Sequence, residues 1–245
     1  MKSIKNWSIF LMTVMVLPLV MSCGNDNDNN DDKGKSSVLE KHLSTIEHYR
    51  GMDDRTIIYN LHYDTNGNLL NISRNTQSIN SFSYNYMDNM VVMTPYSNDV
   101  IKYILMNNRL VSVEDKNNGL TLSYSYDNNN NLLSCLWASR SNQSFTFSYT
   151  WLNGNLTRMD YNGGTIDIDY TSHLWPRNYI MPFEYIDVYY DSFMVPGVFM
   201  AMGLCGNHPN NLPKRIGDKE YNYILNDGYP INIKVGNDEF KYTWN

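Results

Sequence analysis

The 245-residue sequence has only 3 cysteines, 5 histidines and 14 glycines, and only 18% of its residues are charged. No His-Glu-x-x-His or Cys-x-x-Cys pair occurs, so no local spacing supplies the three or four converging ligands of a zinc site. The phosphate-binding and nucleophile turns Gly-x-x-x-x-Gly-Lys, Gly-x-Gly-x-x-Gly and Gly-x-Ser-x-Gly are missing as well. The expectation is therefore a chain with no metal, no cofactor and no catalytic residue legible as a motif, although a triad set by geometry would leave no such trace. Lys and Arg number 19 against 25 acids, a net charge of -6, and no basic stripe is present to neutralise phosphates. That balance argues against a nucleic-acid partner. What the sequence does hold is 35 Asn and 20 Tyr. Asn favours turns and tolerates left-handed backbone, while Tyr suits half-buried strands, so the two biases together indicate a sheet with many turns.

Residues 1–22 contain Lys2 and Lys5, no acid, and a mostly apolar stretch from Ile9 to Met21. This stretch is short of the roughly 20 apolar residues of a membrane-spanning helix and reads as a signal peptide. It ends Leu19-Val20-Met21-Ser22-Cys23, which resembles the lipobox of bacterial lipoproteins. The resemblance implies cleavage after Ser22 and acylation of Cys23, so that the membrane is a partner through a lipid anchor. Without residues 1–22 the chain has 223 residues and a net charge of -8. Residues 23–40 begin with the lipidated Cys and the run Gly24-Asn25-Asp26-Asn27-Asp28-Asn29-Asn30-Asp31-Asp32. Such a run cannot bury apolar surface and reads as a solvated, disordered tether. It is similar to the acidic signal that follows the lipidated Cys in many Bacteroides-type lipoproteins. The implied location is an exported outer-membrane lipoprotein, with the cell surface and a periplasm-facing spacer as the two readings.

Residues 41–245 read as a single β-meander domain. From residue 56 onward a Tyr-rich alternating strand, an Asn/Asp/Gly turn and a second alternating strand recur. The copies include Tyr59–Leu70, Phe82–Val92, Tyr103–Val111, Tyr124–Leu133, Phe147–Leu156 and Tyr221–Ile231. Turn centres near residues 67, 89, 108, 130 and 154 are spaced by 22, 19, 22 and 24 residues. Asn66-Gly67, Asn153-Gly154 and Asp227-Gly228 can supply the positive φ of tight hairpins. Opposite-end turns fall at Tyr96–Asn98, Asn117–Gly119, Ser141-Asn142 and Asn162–Gly164. The predicted fold is all-β: an antiparallel meander of about a dozen or more strands, curled or barrel-like, because an open sheet of that size leaves vulnerable edges. A membrane-spanning barrel fits poorly, since it needs strands of about 9–11 residues with a lipid-facing apolar band. Trp175-Pro176 and Met181-Pro182 break the meander after Tyr170, Phe183 to Tyr190 alternates again, and Phe193 to Leu204 is apolar nearly throughout. One short helix near residues 198–204, stopped at Cys205-Gly206, is expected to dock inside the sheet.

The unit Tyr63-Asp64-Thr65-Asn66-Gly67-Asn68-Leu69 is similar to YD-type repeats, with Asn in place of Gly at Asn107-Asn108 and Asn129-Asn130. The segment Gly203-Leu204-Cys205-Gly206-Asn207-His208-Pro209-Asn210-Asn211-Leu212-Pro213-Lys214-Arg215-Ile216 resembles one shared by a Bacteroides-type lipoprotein family with a domain of unknown function. The resemblance implies an all-β, porin-like fold over residues 41–245 and transfers no catalytic residue.

Asp167 and Asp169 share a strand face, with Glu184 and Asp187 nearby in sequence. Paired carboxylates can serve a glycoside hydrolase, but alternation with Ile166 and Ile168 already explains the spacing. Cys135 and Cys205 read as buried thiols or a disulfide. Exposed rings stack on sugars, and Trp137, Trp151, Trp175, Tyr179 and Tyr185 lie nearest the irregular segments. Among them Trp175, Tyr179 and Tyr185 are the candidate ligand-binding residues, against the alternative that Tyr ladders pack in the core. Function is accordingly read as a non-catalytic envelope module binding a glycan or an envelope protein. A carboxylate hydrolase and a purely structural surface repeat are the alternatives.

Overall fold

The computed structural model describes residues 41–52, 54–75, 82–95, 100–182 and 197–245, all within the compact unit Glu40–Asn245. Sixteen strands run in chain order: β1 (Leu43–Arg50), β2 (Arg55–Tyr63), β3 (Leu69–Arg74), β4 (Phe82–Met87), β5 (Met90–Pro95), β6 (Ile101–Met106), β7 (Arg109–Asp115) and β8 (Leu120–Tyr126). They continue as β9 (Leu132–Ser139), β10 (Ser144–Leu152), β11 (Asn155–Tyr161), β12 (Gly164–Leu174), β13 (Asn211–Ile216), β14 (Lys219–Asn226), β15 (Tyr229–Val235) and β16 (Asp238–Trp244). Each strand pairs with its sequence neighbour, and β1 pairs with β16, so the meander closes into an antiparallel barrel without free edges. Backbone bonds between His42 and Asn245, at 2.8 and 2.9 Å, fasten the two chain ends of the sheet together.

The turns explain the asparagines. Asn107, Asn108, Asn130, Asn142 and Asn153 all adopt positive φ, the conformation that Asn tolerates better than other non-glycine residues. In the turn after β2, Asp64 Oδ1 accepts the N–H groups of Asn66 and Asn68 while Oδ2 accepts the Asn68 amide. Asp127 repeats the arrangement with Asn129 and Asn131 after β8. Each carboxylate is thus occupied by N–H donors, which makes the Asp-x-Asn-x-Asn unit a turn clamp rather than a cation loop.

Alternation sorts the side chains as expected. Tyr59, Leu61, Tyr84, Val91, Tyr103, Val113, Leu122, Tyr124, Tyr149, Ile233, Phe240 and Tyr242 are buried inside the barrel. Positions between them on the outer face, such as Asn85, Thr121, Ser123 and Thr146, are exposed. This polarity is the reverse of a lipid-facing barrel. Prolines sit where the ladder is already irregular: Pro213 and Pro230 both lie beside register shifts.

A 16-strand barrel is wide enough to leave an aqueous channel unless something fills it. Here the connection between β12 and β13 turns inward. Trp175, Tyr179, Ile180, Met181, Phe199, Met200, Leu204 and Cys205 are buried and belong to the same core cluster as the wall. Phe199 stacks on Tyr103 at 4.3 Å and meets Tyr84 edge-on at 6.2 Å. The expected helix is shorter than the sequence suggested: α1 spans Gly197–Ala201, and Gly203, not Gly206, stops it. Gly203 has φ +72°, its N–H bonds the Met200 carbonyl, and the Leu204 N–H bonds the Phe199 carbonyl, a Schellman cap. The alternating stretch expected at Phe183 to Tyr190 lies outside the described residues.

Candidate functional site

The motif-like segment after α1 is a latch. Asn207 N–H donates to the Asn130 carbonyl at 2.9 Å, and its amide reaches the Asn129 carbonyl and Asn131 Oδ1 at 2.8 and 2.9 Å. Asn210 binds the Gly154 carbonyl at 3.0 Å, and Asn155 and Asn211 exchange amide bonds. The inserted segment therefore grips the β8–β9 and β10–β11 hairpin turns. Gly206 has φ +79°, and a Cβ there would run into the Asn130 carbonyl oxygen and the Tyr126 ring. The specificity of the Gly-Leu-Cys-Gly-Asn-His-Pro-Asn-Asn segment is thus structural.

The opposite end, formed by the turns at 116–119, 140–143 and 162–163, holds accessible rings. Register places Trp137 opposite Phe145, and Cys135 opposite Phe147, all facing inward on β9 and β10. Tyr161, at the end of β11, lies on the same face, 6.1 Å from Phe147 by ring centroids. Trp137 and Phe145 are tilted against each other at 5.2 Å. Although these four rings face the interior, Phe145 is 39% and Tyr161 40% exposed, while Trp137 and Phe147 are half-buried. Tyr161 pairs with Gly164, and a Cβ on Gly164 would sit 3.3 Å from the Tyr161 hydroxyl oxygen, so the ring lies against the glycines of its own turn. The Arg140 guanidinium, the nearest cation in the β9–β10 turn, donates to the Lys116 carbonyl. The result is an aromatic lip on β9–β11, with Arg140 and Lys116 in the turns beside it.

The residues singled out by sequence are dispersed. Trp175 is 7% exposed and Tyr179 fully buried, packed on His208 and Tyr242 respectively, so neither ring face reaches solvent. Burial also pushes the Tyr179 hydroxyl well above the usual phenol range. Trp175 Nε1 has no hydrogen-bond partner, and the Tyr179 hydroxyl faces that of Tyr223. Tyr185 and Cys23 lie outside the described residues. Trp151 is half-buried with Nε1 donating to the Leu132 carbonyl at 2.9 Å. Of the four of these rings that lie among the described residues, Trp137 belongs to the lip. Phe145, Phe147 and Tyr161 were readable only as alternating strand residues beside the Ser141-Asn142 and Asn162–Gly164 turns.

The fold has a known counterpart. The crystal structure of a porin-like protein from Bacteroides uniformis ATCC 8492 matches with a TM-score of 0.63 and 16% identity, over 83% of this chain and 96% of that one. The two share a fold. No family model and no curated protein matches the chain. At this identity the likeness extends to architecture alone, so chemistry has to be read from the side chains.

Asp167 and Asp169 point outward from β12. Asp169 Oδ2 accepts from Arg215 Nε and Nη2 at 2.9 and 2.6 Å, and Asp167 pairs in register with Arg158. Arg158 also bonds Asp160, whose carboxyl is held below the usual range by the Thr165 hydroxyl and by Arg158 itself. These carboxylates lie on an open outer face, each beside an arginine. Glu184 and Asp187 lie outside the described residues. Cys135 and Cys205 are buried thiols not joined to each other, and burial pushes the Cys135 thiol up to about 12. Among the described residues no cluster of three His, Cys, Asp or Glu is placed to hold a metal ion.

Proposed function

We propose that the protein is an exported outer-membrane lipoprotein of the Bacteroides type, anchored through Cys23, whose barrel is a non-catalytic binding module for neutral glycans. The observation that carries the reading is the lip: four rings that face inward by register, of which Phe145 and Tyr161 are exposed to solvent and Trp137 and Phe147 half-buried. Aromatic faces bury area at low conformational cost and suit the C–H faces of sugar rings. The rings carry no charge, and Arg140 in the adjoining turn is directed onto the Lys116 carbonyl, so the ring faces suit the C–H faces of an uncharged sugar chain. The carboxylate hydrolase reading has less support, because Asp169 is already engaged by Arg215.

The test is the thermal midpoint of residues 24–245 across neutral polysaccharides and their oligosaccharides. A ligand at about 100 times its dissociation constant adds about 2.7 kcal/mol, which raises the midpoint by several degrees for a domain of this size. The rise should vanish in Phe145→Ala and Tyr161→Ala. A flat profile with every neutral glycan would refute the reading.

A further inference from the structure

The outer face of β8, β9 and β10 is uncharged and dominated by hydroxyls; that of β2–β5 is uncharged too but mixes hydroxyls with Asn60, Asn71, Asn85 and Val92. Register aligns three rows across these strands: Thr121, Ala138 and Ser144; Ser123, Leu136 and Thr146; Ser125, Ser134 and Ser148. None of these nine positions is charged, and Leu136, 43% exposed, stands at the centre. Charge begins at the borders, with Glu114 beside Thr121 on β7 and Asp160 beside Ser148 on β11. On other strands the outer face carries Lys102, Lys214, Glu220, Lys234 and Lys241. Ser125 Oγ and Ser134 Oγ lie 2.6 Å apart, so neighbouring hydroxyls are close enough to present joint donor and acceptor sites.

We infer that this hydroxyl face is a second contact surface for a neutral polysaccharide, an inference that rests on the lip being a glycan site. Three strands at about 4.8 Å and residues i, i+2, i+4 at about 3.4 Å per residue give a grid of roughly 10 by 14 Å. A stable protein dimer needs about 800 Å² from each partner, far more than such a patch supplies. A narrow hydroxyl-rich polymer fits it, because every grid oxygen can donate or accept and Leu136 offers one apolar contact for a ring face. The same strands carry the lip on their inner side: Leu136 adjoins Trp137, and Thr146 lies between Phe145 and Phe147. One long chain can therefore engage both surfaces across the edge formed by the β9–β10 turn, whereas a short oligosaccharide occupies the lip alone.

Affinity electrophoresis of residues 24–245 separates the possibilities, with gels cast in turn with amylopectin, mixed-linkage β-glucan, xylan and galactomannan. The variants are Leu136→Glu with Thr146→Glu, both solvent-facing, and Phe145→Ala with Tyr161→Ala. Linking two weak sites on one polymer raises affinity by an order of magnitude or more, so the glutamate pair should weaken polymer binding about tenfold or more. Binding of the matching di- or trisaccharide by calorimetry should stay within about twofold. Polymer affinity unchanged in the glutamate pair overturns the second surface and leaves the lip standing. Polymer binding lost only in the glutamate pair, with the alanine pair intact, overturns the lip and leaves the hydroxyl face as the site. If no polysaccharide retards the wild-type chain, both fall. Circular dichroism of each variant establishes that the barrel is retained.

Discussion

Alkaline pH should unfold this barrel sharply, because its interior is built from tyrosines. Tyr84, Tyr124, Tyr179 and Tyr242 are all buried, and burial is the leading cause that holds each hydroxyl above its ordinary value of 10.0. The sign follows from linkage. In the unfolded chain these groups lose protons near pH 10, whereas in the barrel they stay protonated, so the unfolded state gains from deprotonation and the folded state does not. The stability they contribute is complete below pH 10 and falls as pH rises above it. Each such group costs about 1.4 kcal/mol per pH unit, so four together remove roughly 5–6 kcal/mol by about pH 11. That is comparable to the whole stability of a typical domain, about 5–15 kcal/mol. Phenolate absorbance and circular dichroism followed together from neutral pH upward should therefore show a delayed, steep tyrosine titration that coincides with loss of the sheet signal. A smooth titration centred near pH 10 with the sheet signal unchanged would mean that the rings are open to water, and the packed interior would be refuted.

Removal of the inserted ring in Phe199→Ala leaves a cavity beside Tyr103 and Tyr84, and should cost about 3–5 kcal/mol, lowering the thermal midpoint by roughly 6–20 °C. A drop of under about 1 kcal/mol would mean that the segment does not fill the barrel. Cys135 and Cys205 should not react with a thiol reagent at neutral pH in the folded chain, and both should react once denatured, because burial keeps the Cys135 thiol protonated up to about 12. Cys23→Ser should abolish incorporation of radiolabelled fatty acid and release the chain from the membrane fraction, whereas retention without acylation would refute the anchor.

Much of the architecture was legible in the sequence because hairpins are local. Asn66-Gly67, Asn153-Gly154 and Asp227-Gly228 sit at the turns they suggested, and alternation at Tyr59, Leu61 and Tyr84 sorts inside from outside. The break in the meander was expected after Tyr170, whereas β12 runs on to Leu174 and ends only at Trp175-Pro176. The strand β1 (Leu43–Arg50) and its pairing with β16 were not, since a contact between residues about two hundred positions apart leaves no local pattern. The helix was overextended because apolar residues alone do not mark a stop; Gly203, rather than Gly206, takes the left-handed cap, and Gly206 is needed against Asn130.

The site was less legible. Trp175 and Tyr179 drew attention through their position beside prolines, yet the chain that leaves the sheet there turns inward, and the rings become core. Nothing in the sequence set Phe145, Phe147 and Tyr161 apart from ordinary core alternation, and only the closed barrel shows Phe145 and Tyr161 exposed at its end. Exposure at a mouth depends on which distant strands stand opposite, and a local pattern cannot carry that. The hydroxyl face was hidden similarly: Ser123, Leu136 and Thr146 form one row only through the pairing of three strands.

The most direct test of the glycan-binding account is calorimetric titration of residues 24–245 with the neutral oligosaccharide that gives the largest thermal shift. The measurement is repeated on Phe145→Ala/Tyr161→Ala and on the core variant Trp175→Phe. The account predicts saturable binding to the wild-type chain and to Trp175→Phe, and none to the lip variant. Binding that survives loss of Phe145 and Tyr161, or that disappears with Trp175→Phe while the fold is retained, would contradict it.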